Sequence, residues 1–204
     1  MELNGVAEKV IISPSEIKSH LEEGRAQDLS KEDFPYHNWE VHIVPMYEDV
    51  VELGRLAGLS QKDIDLAQIA VLYHDISLLD GREGHEEKSA QIAEEDLREF
   101  GYQENDINRV KIIILGTKGK MEDGVYITEP SDDPLVNIMR DADLANIGKV
   151  NFPEQSENLR QELGVTDKSK WREFQIEFLT KHRFHTEVAE QLWGEQKKKN
   201  LENL

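Results

Sequence analysis

The sequence contains no cysteine, which excludes several kinds of chemistry. Disulfide bonds, thiolate metal ligands and cysteine nucleophiles are ruled out, so any bound metal must be held by nitrogen and oxygen ligands. The sequence also lacks an apolar run long enough to cross a bilayer. Residues 1–5 lack the basic and apolar regions of a signal peptide, and a cytoplasmic location is therefore expected.

Positive charge is scarce relative to negative charge. The chain has 24 lysine and arginine residues against 42 aspartate and glutamate residues, for a formal net charge of −18. A large nucleic-acid-binding surface needs clustered basic residues and is not expected, and neither is a membrane partner. A small phosphorylated substrate is compatible with this charge if a metal ion and a few local cations offset it. The sequence leaves a homodimer open.

Apolar residues recur at the helical period through most of the chain, which predicts an all-α fold. The length of 204 residues suits a single domain over residues 1–204. Its core is expected at about residues 36–150, with C-terminal helices at about 167–200 packed on it. Helices are expected at about residues 13–24, 38–57, 60–74, 85–100, 104–115, 134–147 and 167–200.

Three segments depart from the helical pattern. Pro45 removes a backbone donor inside the predicted helix 38–57 and should kink or delay it. Residues 116–133 contain three glycines and a proline and are predicted to form a long loop, with a short extended piece at 125–128. Residues 149–165 are predicted to be irregular or weakly helical.

An adjacent histidine and aspartate, His74 and Asp75, stand at the end of a very apolar predicted helix. Burying an ionised carboxylate is costly unless hydrogen bonds or a cation compensate its charge, and a metal ion supplies such a charge. A helix-terminal histidine beside a capping aspartate is the simpler explanation of this dipeptide taken alone. The pair therefore indicates a metal site only if further ligands accompany it.

His42 is a candidate second histidine for such a site. On a helix it falls on the stripe of Trp39, Met46 and Asp49, so its side chain should point inward or toward a cleft. A core histidine bonded to a backbone carbonyl would give the same pattern.

Asp141 and Asp143 offer a further carboxylate. Side chains at positions i and i+2 of a helix point in roughly opposite directions. The two carboxylates are therefore not expected to bind one ion equally. Asp143 shares its stripe with the apolar Met139 and Ile147, where an acid needs a partner. Asp143 is therefore the preferred ligand, and Asp141 stays the alternative.

The order His42, His74-Asp75 and Asp143 resembles the ligand set of the HD superfamily of metal-dependent phosphohydrolases, which is named for its His-Asp pair. More narrowly, the chain is similar to bacterial predicted HD phosphohydrolases over residues 36–204. The shared segments are Tyr36-His37-Asn38-Trp39, His74-Asp75, Glu86-Glu87-Lys88-Ser89-Ala90, Asp141-Ala142-Asp143-Leu144 and Asn200-Leu201.

The resemblance implies a helical bundle with a metal site near its centre, held by the four residues just named as the ligand set. Val41 departs from the family pattern, because the histidine would be expected directly after Glu40. Residues 116–120 lack the histidines that hold a second metal in some relatives, which favours one divalent ion. Nitrogen and oxygen ligands suit Mn²⁺, Fe²⁺, Co²⁺, Ni²⁺ or Mg²⁺ and do not choose among them.

The expected chemistry is attack of a metal-activated water on phosphorus. Asp75 could both bind the ion and orient that water. Glu86 and Asp80 are candidates for general acid–base catalysis, with His37 and His85 as alternatives whose ordinary pKa values lie nearer neutrality. His85 is also a candidate contact to the substrate.

The candidate contacts to substrate phosphates include three cations. Lys118 and Thr117 stand in a glycine-bracketed loop, where the backbone can also approach an anion. Lys120 and Arg140 are further candidates. Each of the three cations also fits an ordinary surface charge.

The function predicted from these features is hydrolysis of a small phosphorylated molecule, most plausibly a nucleotide, at a phosphomonoester or pyrophosphate bond. Two alternatives stay open. One is a ligand-binding or regulatory helical domain that retains a structural metal without turnover. The other is hydrolysis of a cyclic or signalling nucleotide, because residues 36–38 also resemble the start of a cyclic phosphodiesterase motif.

Overall fold

The fold is all-α, as the sequence predicts. A computed structural model describes residues 11–24, 32–122 and 125–204. Its α-helices are α1 Pro14–Glu23, α2 Val44–Leu56, α3 Gln61–Tyr73, α4 His85–Glu99, α5 Glu104–Gly116, α6 Pro134–Asp143, α7 Phe152–Glu162, α8 Lys168–Lys181 and α9 Glu187–Glu202.

Short irregular elements connect these helices. A π-helical turn, Trp39–Ile43, leads directly into α2, and 3-10 turns cover Leu78–Asp80 and Ala145–Gly148. The strands β1 (Lys120–Glu122) and β2 (Val125–Ile127) pair antiparallel as a small hairpin. The short extended piece expected within the loop 116–133 is thus the second strand of that hairpin.

Polar caps fix where several helices begin. Ser13 and Glu16 form a reciprocal capping box at the start of α1. The Ser60 hydroxyl accepts a hydrogen bond from the Asp63 backbone at the start of α3. Each such cap satisfies a backbone donor that the helix itself leaves unpaired, which stabilises the helix by about 1 kcal/mol.

Helix α3 lies at the centre of the bundle. It packs against α1, α2, α4, α5 and α6. Its residues from Ile69 to Tyr73 are all at most 1% exposed, so the apolar side chains surround the helix rather than forming one stripe. The end of α3, where His74 and Asp75 follow, is therefore held in the interior of the molecule.

The C-terminal helix α9 packs directly on the 3-10 turn Ala145–Gly148. At Gly148, an added Cβ would lie 2.3 Å from the Trp193 Cβ, so only glycine allows this close approach. The Asn200 side chain donates hydrogen bonds of 2.9 Å to the carbonyls of Ile147 and Lys149. These contacts join the C-terminal helices to the segment that follows α6.

Residues 149–165, predicted to be irregular or weakly helical, contain a regular helix, because Phe152–Glu162 forms α7. This helix carries few apolar residues, and its buried face includes the polar Gln155 and Ser156. Apolar periodicity therefore gave little signal for it. The predicted helix 134–147 is likewise shorter than expected and ends at Asp143.

Among the described residues, no helix is both long and apolar enough to span a bilayer. Residues 1–5, from which a cytoplasmic location was expected, lie outside the described residues.

Candidate metal centre and pocket

His74 and Asp75 reach the centre of the molecule because they follow the last turn of the buried helix α3. Their exposed fractions are 1% and 4%. His74 Nδ1 lies 2.8 Å from the Val71 carbonyl oxygen, to which it can only donate. With Nδ1 engaged in this way, Nε2 is the nitrogen that faces the other candidate ligands, and it can present its lone pair to a bound cation.

His42 reaches the same point through the π-helical turn Trp39–Ile43. A π turn holds one more residue than an α turn, so it accommodates the extra residue, Val41, that departs from the HD pattern. The Asn38 side chain caps this turn by accepting from the backbones of Glu40 and Val41. Pro45 falls in the first turn of α2, where its missing donor is not needed.

The two imidazoles and two carboxylates converge within a few ångströms. His42 Nε2 lies 3.2 Å from His74 Nε2 and 3.1 Å from Asp143 Oδ1. His74 Nε2 lies 3.1 Å from Asp75 Oδ2 and 3.6 Å from Asp143 Oδ1. His42 Nε2 and Asp75 Oδ2 are 3.5 Å apart.

These separations fit one divalent cation. Donor atoms about 2.1 Å from a single ion lie about 3.0 Å apart at an octahedral edge and about 3.4 Å apart at a tetrahedral edge. His42, His74 and Asp75 offer ligand atoms that all lie within 4.8 Å of one another, and all three are buried. The Asp143 carboxylate adds a fourth donor near both histidines.

Both carboxylates of this cluster are held in the ionised form. Burial raises the pKa of Asp143, but hydrogen bonds with His42 and His74 outweigh burial and hold that pKa well below its usual range. Burial likewise opposes ionisation of Asp75, and the neighbouring His74 lowers its pKa. Negative charge at this largely enclosed position needs a positive partner, which the imidazoles supply when they are protonated and which a bound divalent cation would supply in their place.

Asp141 points away from this cluster. Its carboxylate accepts hydrogen bonds from the backbone N–H groups of His185, at 2.7 Å, and Thr186, at 2.9 Å. The Thr186 hydroxyl donates to it as well, at 2.6 Å. Burial raises the pKa of Asp141 to about 6, although these hydrogen bonds favour the ionised form. Asp141 therefore ties α6 to the start of α9.

A cavity of about 350 Å³ opens beside the cluster. One side of it is polar and includes His37, Arg82, His85 and Glu86, together with His74, Asp75 and Asp143. Another side is formed by α7 and α8 and is mostly apolar, with Phe152, Leu159, Trp171, Phe174 and Phe178. The volume and the mixed lining are those of a small-molecule site.

The polar side is held in place by buried Glu162, whose side chain is only 2% exposed. Glu162 accepts 2.9 Å hydrogen bonds from the backbones of Tyr36 and His37, and it lies 2.5 Å from His37 Nδ1. The Arg82 guanidinium also donates to it. Burial alone would raise the pKa of Glu162, but the hydrogen bonds and the charge of His37 bring it to about 2.

Residues 40–145, more than half of the chain, match the family model of the HD domain. The chain belongs to the HD domain family. The match spans the two histidines and two aspartates that converge in the structure.

Two solved structures resemble this HD domain over nearly its whole length. A predicted HD superfamily hydrolase from an uncultured Thermotogales bacterium has 18% sequence identity and a TM-score of 0.59, covering 94% of this chain and 95% of its own. YpgQ from Bacillus subtilis, solved in complex with ADP, has 16% identity and a TM-score of 0.64, covering 93% of both chains. At these identities, the similarity shows the fold. The comparison with curated proteins gives no match.

Several predicted site residues of this HD domain do line the cavity. His37, His85, Glu86 and Thr117 are among its lining residues. His85 Nδ1 lies 2.8 Å from the Arg82 carbonyl oxygen, and His85 Nε2 lies 3.3 Å from Asp75 Oδ1. The Thr117 hydroxyl donates to the Ile114 carbonyl at 2.8 Å, so its proton is already used within α5.

Other predicted site residues are not brought to the cavity. Asp80 is exposed in the 3-10 turn, and Lys118 pairs with Glu87 on the surface. Lys120 lies 3.2 Å from Glu122 and 3.0 Å from Glu129. The Arg140 guanidinium donates to the carbonyls of Gly116 and Glu129, so it joins α6 to the hairpin region.

The structure adds residues that sequence reasoning missed, some in the cavity lining and one, Glu162, that holds lining residues in place. Arg82 and Glu162 carry no local signal, because their partners are remote in the chain. The apolar wall of the cavity does have a signal in the local sequence, because Trp171, Phe174 and Phe178 recur at helical spacing around Gln175. Such a stripe is usually core, and in this HD domain it faces a cavity instead.

Proposed function

We propose that this HD domain is a metal-dependent phosphohydrolase that acts on a nucleotide, at a phosphomonoester or pyrophosphate bond. The observation that carries the proposal is the cluster of two imidazoles and two carboxylates beside a cavity large enough for a small molecule. Family membership supports phosphohydrolase chemistry in general. The ADP bound to YpgQ supports a nucleotide as the ligand.

His42, His74, Asp75 and Asp143 would hold the divalent cation. When bound, such an ion supplies an activated water nucleophile and stabilises negative charge on phosphoryl oxygens. Asp75 links this centre to the cavity, because its Oδ2 faces the two histidines while its Oδ1 lies 3.3 Å from His85 Nε2. One carboxylate thereby fixes both the ligand cluster and the imidazole beside it.

His37 is the residue that we assign to protonate the leaving group. Its Nδ1 is engaged by Glu162 at 2.5 Å, which leaves Nε2, on the other side of the ring, to exchange a proton with a bound substrate. Arg82 shares the same carboxylate and keeps further guanidinium donors for phosphate oxygens. Glu162 is thus a positioning residue for two groups of the cavity.

Replacing Glu162 with glutamine removes the charge but keeps the size of the side chain. We expect kcat to fall about 10- to 100-fold, the range for partners that orient a functional side chain. Mn²⁺ affinity should stay unchanged, because the hydrogen bonds of Glu162 go to Tyr36, His37 and Arg82. Steady-state kinetics and a calorimetric Mn²⁺ titration measure the two effects.

The matched control is Glu154→Gln, an exposed position on the same helix, and it should leave both quantities unchanged. The positioning role would be refuted by a normal kcat in the Glu162 variant. A loss of Mn²⁺ affinity in step with kcat would also refute it, because that would point to general damage.

The proposed function is tested with metal-stripped protein, to which each candidate divalent ion is added separately. The panel comprises nucleoside mono-, di- and triphosphates, cyclic nucleotides and base-free phosphoesters, with released phosphate and pyrophosphate as the readout. We expect turnover of a non-cyclic nucleotide that depends on the added metal. Turnover restricted to cyclic nucleotides would select the phosphodiesterase alternative, and no turnover with any ion would leave a binding domain.

A further inference from the structure

One face of α8 forms a wall of the cavity. Trp171, Phe174, Gln175 and Phe178 follow one another at helical spacing, and all four line the cavity. The Trp171 and Phe174 rings stack at 5.4 Å between centroids, and Phe174 is parallel to Phe178 at 6.1 Å. A flat aromatic or apolar ligand surface can pack against such a wall.

Two buried polar side chains interrupt this apolar wall. Ser156 on α7 and Gln175 on α8 are each 6% exposed, in a helix pair whose other cavity residues are mostly apolar. The Ser156 hydroxyl oxygen accepts hydrogen bonds from Trp171 Nε1, at 3.1 Å, and from Gln175 Nε2. Both of its acceptor positions are therefore occupied.

This arrangement leaves one donor and one acceptor uncommitted. Among the described residues, the Ser156 hydroxyl proton has no acceptor and the Gln175 carboxamide oxygen has no donor. Both residues line the same cavity. The Gln175 carboxamide oxygen is open to the cavity rather than sealed in the core, so a ligand in the cavity can donate to it and accept from the neighbouring Ser156 hydroxyl.

We propose that Ser156 and Gln175 bind the edge of the substrate's nucleobase, while the base packs against the aromatic wall of α8. Nucleobases combine a flat apolar face with neighbouring hydrogen-bond acceptors and donors on one edge, which matches both features of the wall. This inference rests on the proposed function, since the same cavity must hold the phosphate beside the metal ligands. Beyond that function, we infer that the enzyme recognises the nucleobase and that Ser156 and Gln175 determine its specificity.

The competing explanation is that the two polar side chains only join α7 to α8. In that case the base would contribute nothing to recognition, and a phosphate compound without a base would bind and react as well as a nucleotide.

The test compares AMP and ADP with ribose 5-phosphate and inorganic pyrophosphate in the presence of Mn²⁺. Dissociation constants come from calorimetry, and kcat/KM is measured for every compound that is cleaved. In the wild type, we expect the nucleotides to be preferred over the base-free compounds by at least about 100-fold. That comparison uses only the wild-type protein, so its result does not depend on whether a variant folds.

The variants Gln175→Leu and Ser156→Ala should each reduce the preference for nucleotides about tenfold, as expected for one lost hydrogen bond. Affinity for ribose 5-phosphate and pyrophosphate should not change. Gln91→Leu makes the same replacement on the exposed face of α4 and should leave the preference intact. Melting temperatures identify a variant that fails to fold.

The outcomes separate this inference from the proposed function. Equal use of nucleotides and base-free compounds by the wild type, or an unchanged preference in both folded variants, would overturn the base site while phosphohydrolase activity stood. If none of these compounds and none of the wider panel used for the proposed function were cleaved, the proposed function would fail. In that case, the base site would still be supported if ADP bound more weakly to the Gln175 and Ser156 variants than to the wild type while pyrophosphate binding was unchanged.

Discussion

Phosphate release from the preferred substrate should fall at least about 1,000-fold when Asp75 is replaced by asparagine. The expected loss exceeds the 10- to 100-fold typical of partners outside the ligand shell, because Asp75 contacts the centre itself. Its Oδ2 lies 3.1 Å from His74 Nε2 and its Oδ1 lies 3.3 Å from His85 Nε2. Asparagine keeps the shape but removes the negative charge that a divalent cation requires. The measurement is kcat/KM at saturating Mn²⁺.

Asp80→Asn is the control for this prediction. Asp80 follows Asp75 by five residues, is exposed, and was predicted from the sequence, together with Glu86, as a candidate for general acid–base catalysis. Because it does not line the cavity, the Asp80 variant should keep nearly full activity. An Asp75 variant within tenfold of the wild type would contradict the proposed centre, and a strong loss in the Asp80 variant would restore that residue as a catalytic candidate.

The second large effect concerns stability rather than catalysis. Replacing Asp141 with asparagine should lower the free energy of unfolding by about 1–3 kcal/mol at pH 7. The carboxylate accepts three hydrogen bonds, from the backbones of His185 and Thr186 and from the Thr186 hydroxyl. The amide group of asparagine is a donor, so one of those buried donors would lose its acceptor. Urea denaturation at fixed Mn²⁺ concentration measures the change.

Asp132→Asn, at an exposed position of the segment preceding the same helix, should change the unfolding free energy by less than about 0.5 kcal/mol. An Asp141 variant as stable as the wild type would contradict the structural role of that residue. A large loss in both variants would mean that charge in this region matters more than the three hydrogen bonds.

The contrast between Asp141 and Asp143 shows that helical periodicity can predict which way a side chain points. Asp141 and Asp143 are two residues apart on α6, so their side chains point to different sides of the helix. The apolar stripe that contains Asp143 indicated that this residue, and not Asp141, lies near His42 and His74. The same reasoning placed His42 on an inward face. Both inferences concern a side chain's direction on its own helix, which depends on local geometry alone.

Other features depend on contacts between remote segments, and local patterns do not encode them. Glu162 accepts a hydrogen bond from the Tyr36 backbone 126 residues away. The regularity of helix α7 was not predicted, because polar residues occupy part of its buried face. Arg140 and Lys118 are the cations expected at a phosphate site, but carbonyls and a glutamate brought near by the fold engage them instead. Sequence could name the chemical types present, and only the packing decides their partners.

We propose that His42, His74, Asp75 and Asp143 together hold one divalent cation. The most direct test is a calorimetric titration of metal-stripped protein with Mn²⁺, comparing the wild type with Asp143→Asn and Asp141→Asn. We expect one ion per chain in the wild type and in the Asp141 variant, with Mn²⁺ affinity weakened at least about 100-fold in the Asp143 variant. Unchanged Mn²⁺ binding in the Asp143 variant, or lost binding in a folded Asp141 variant, would contradict it.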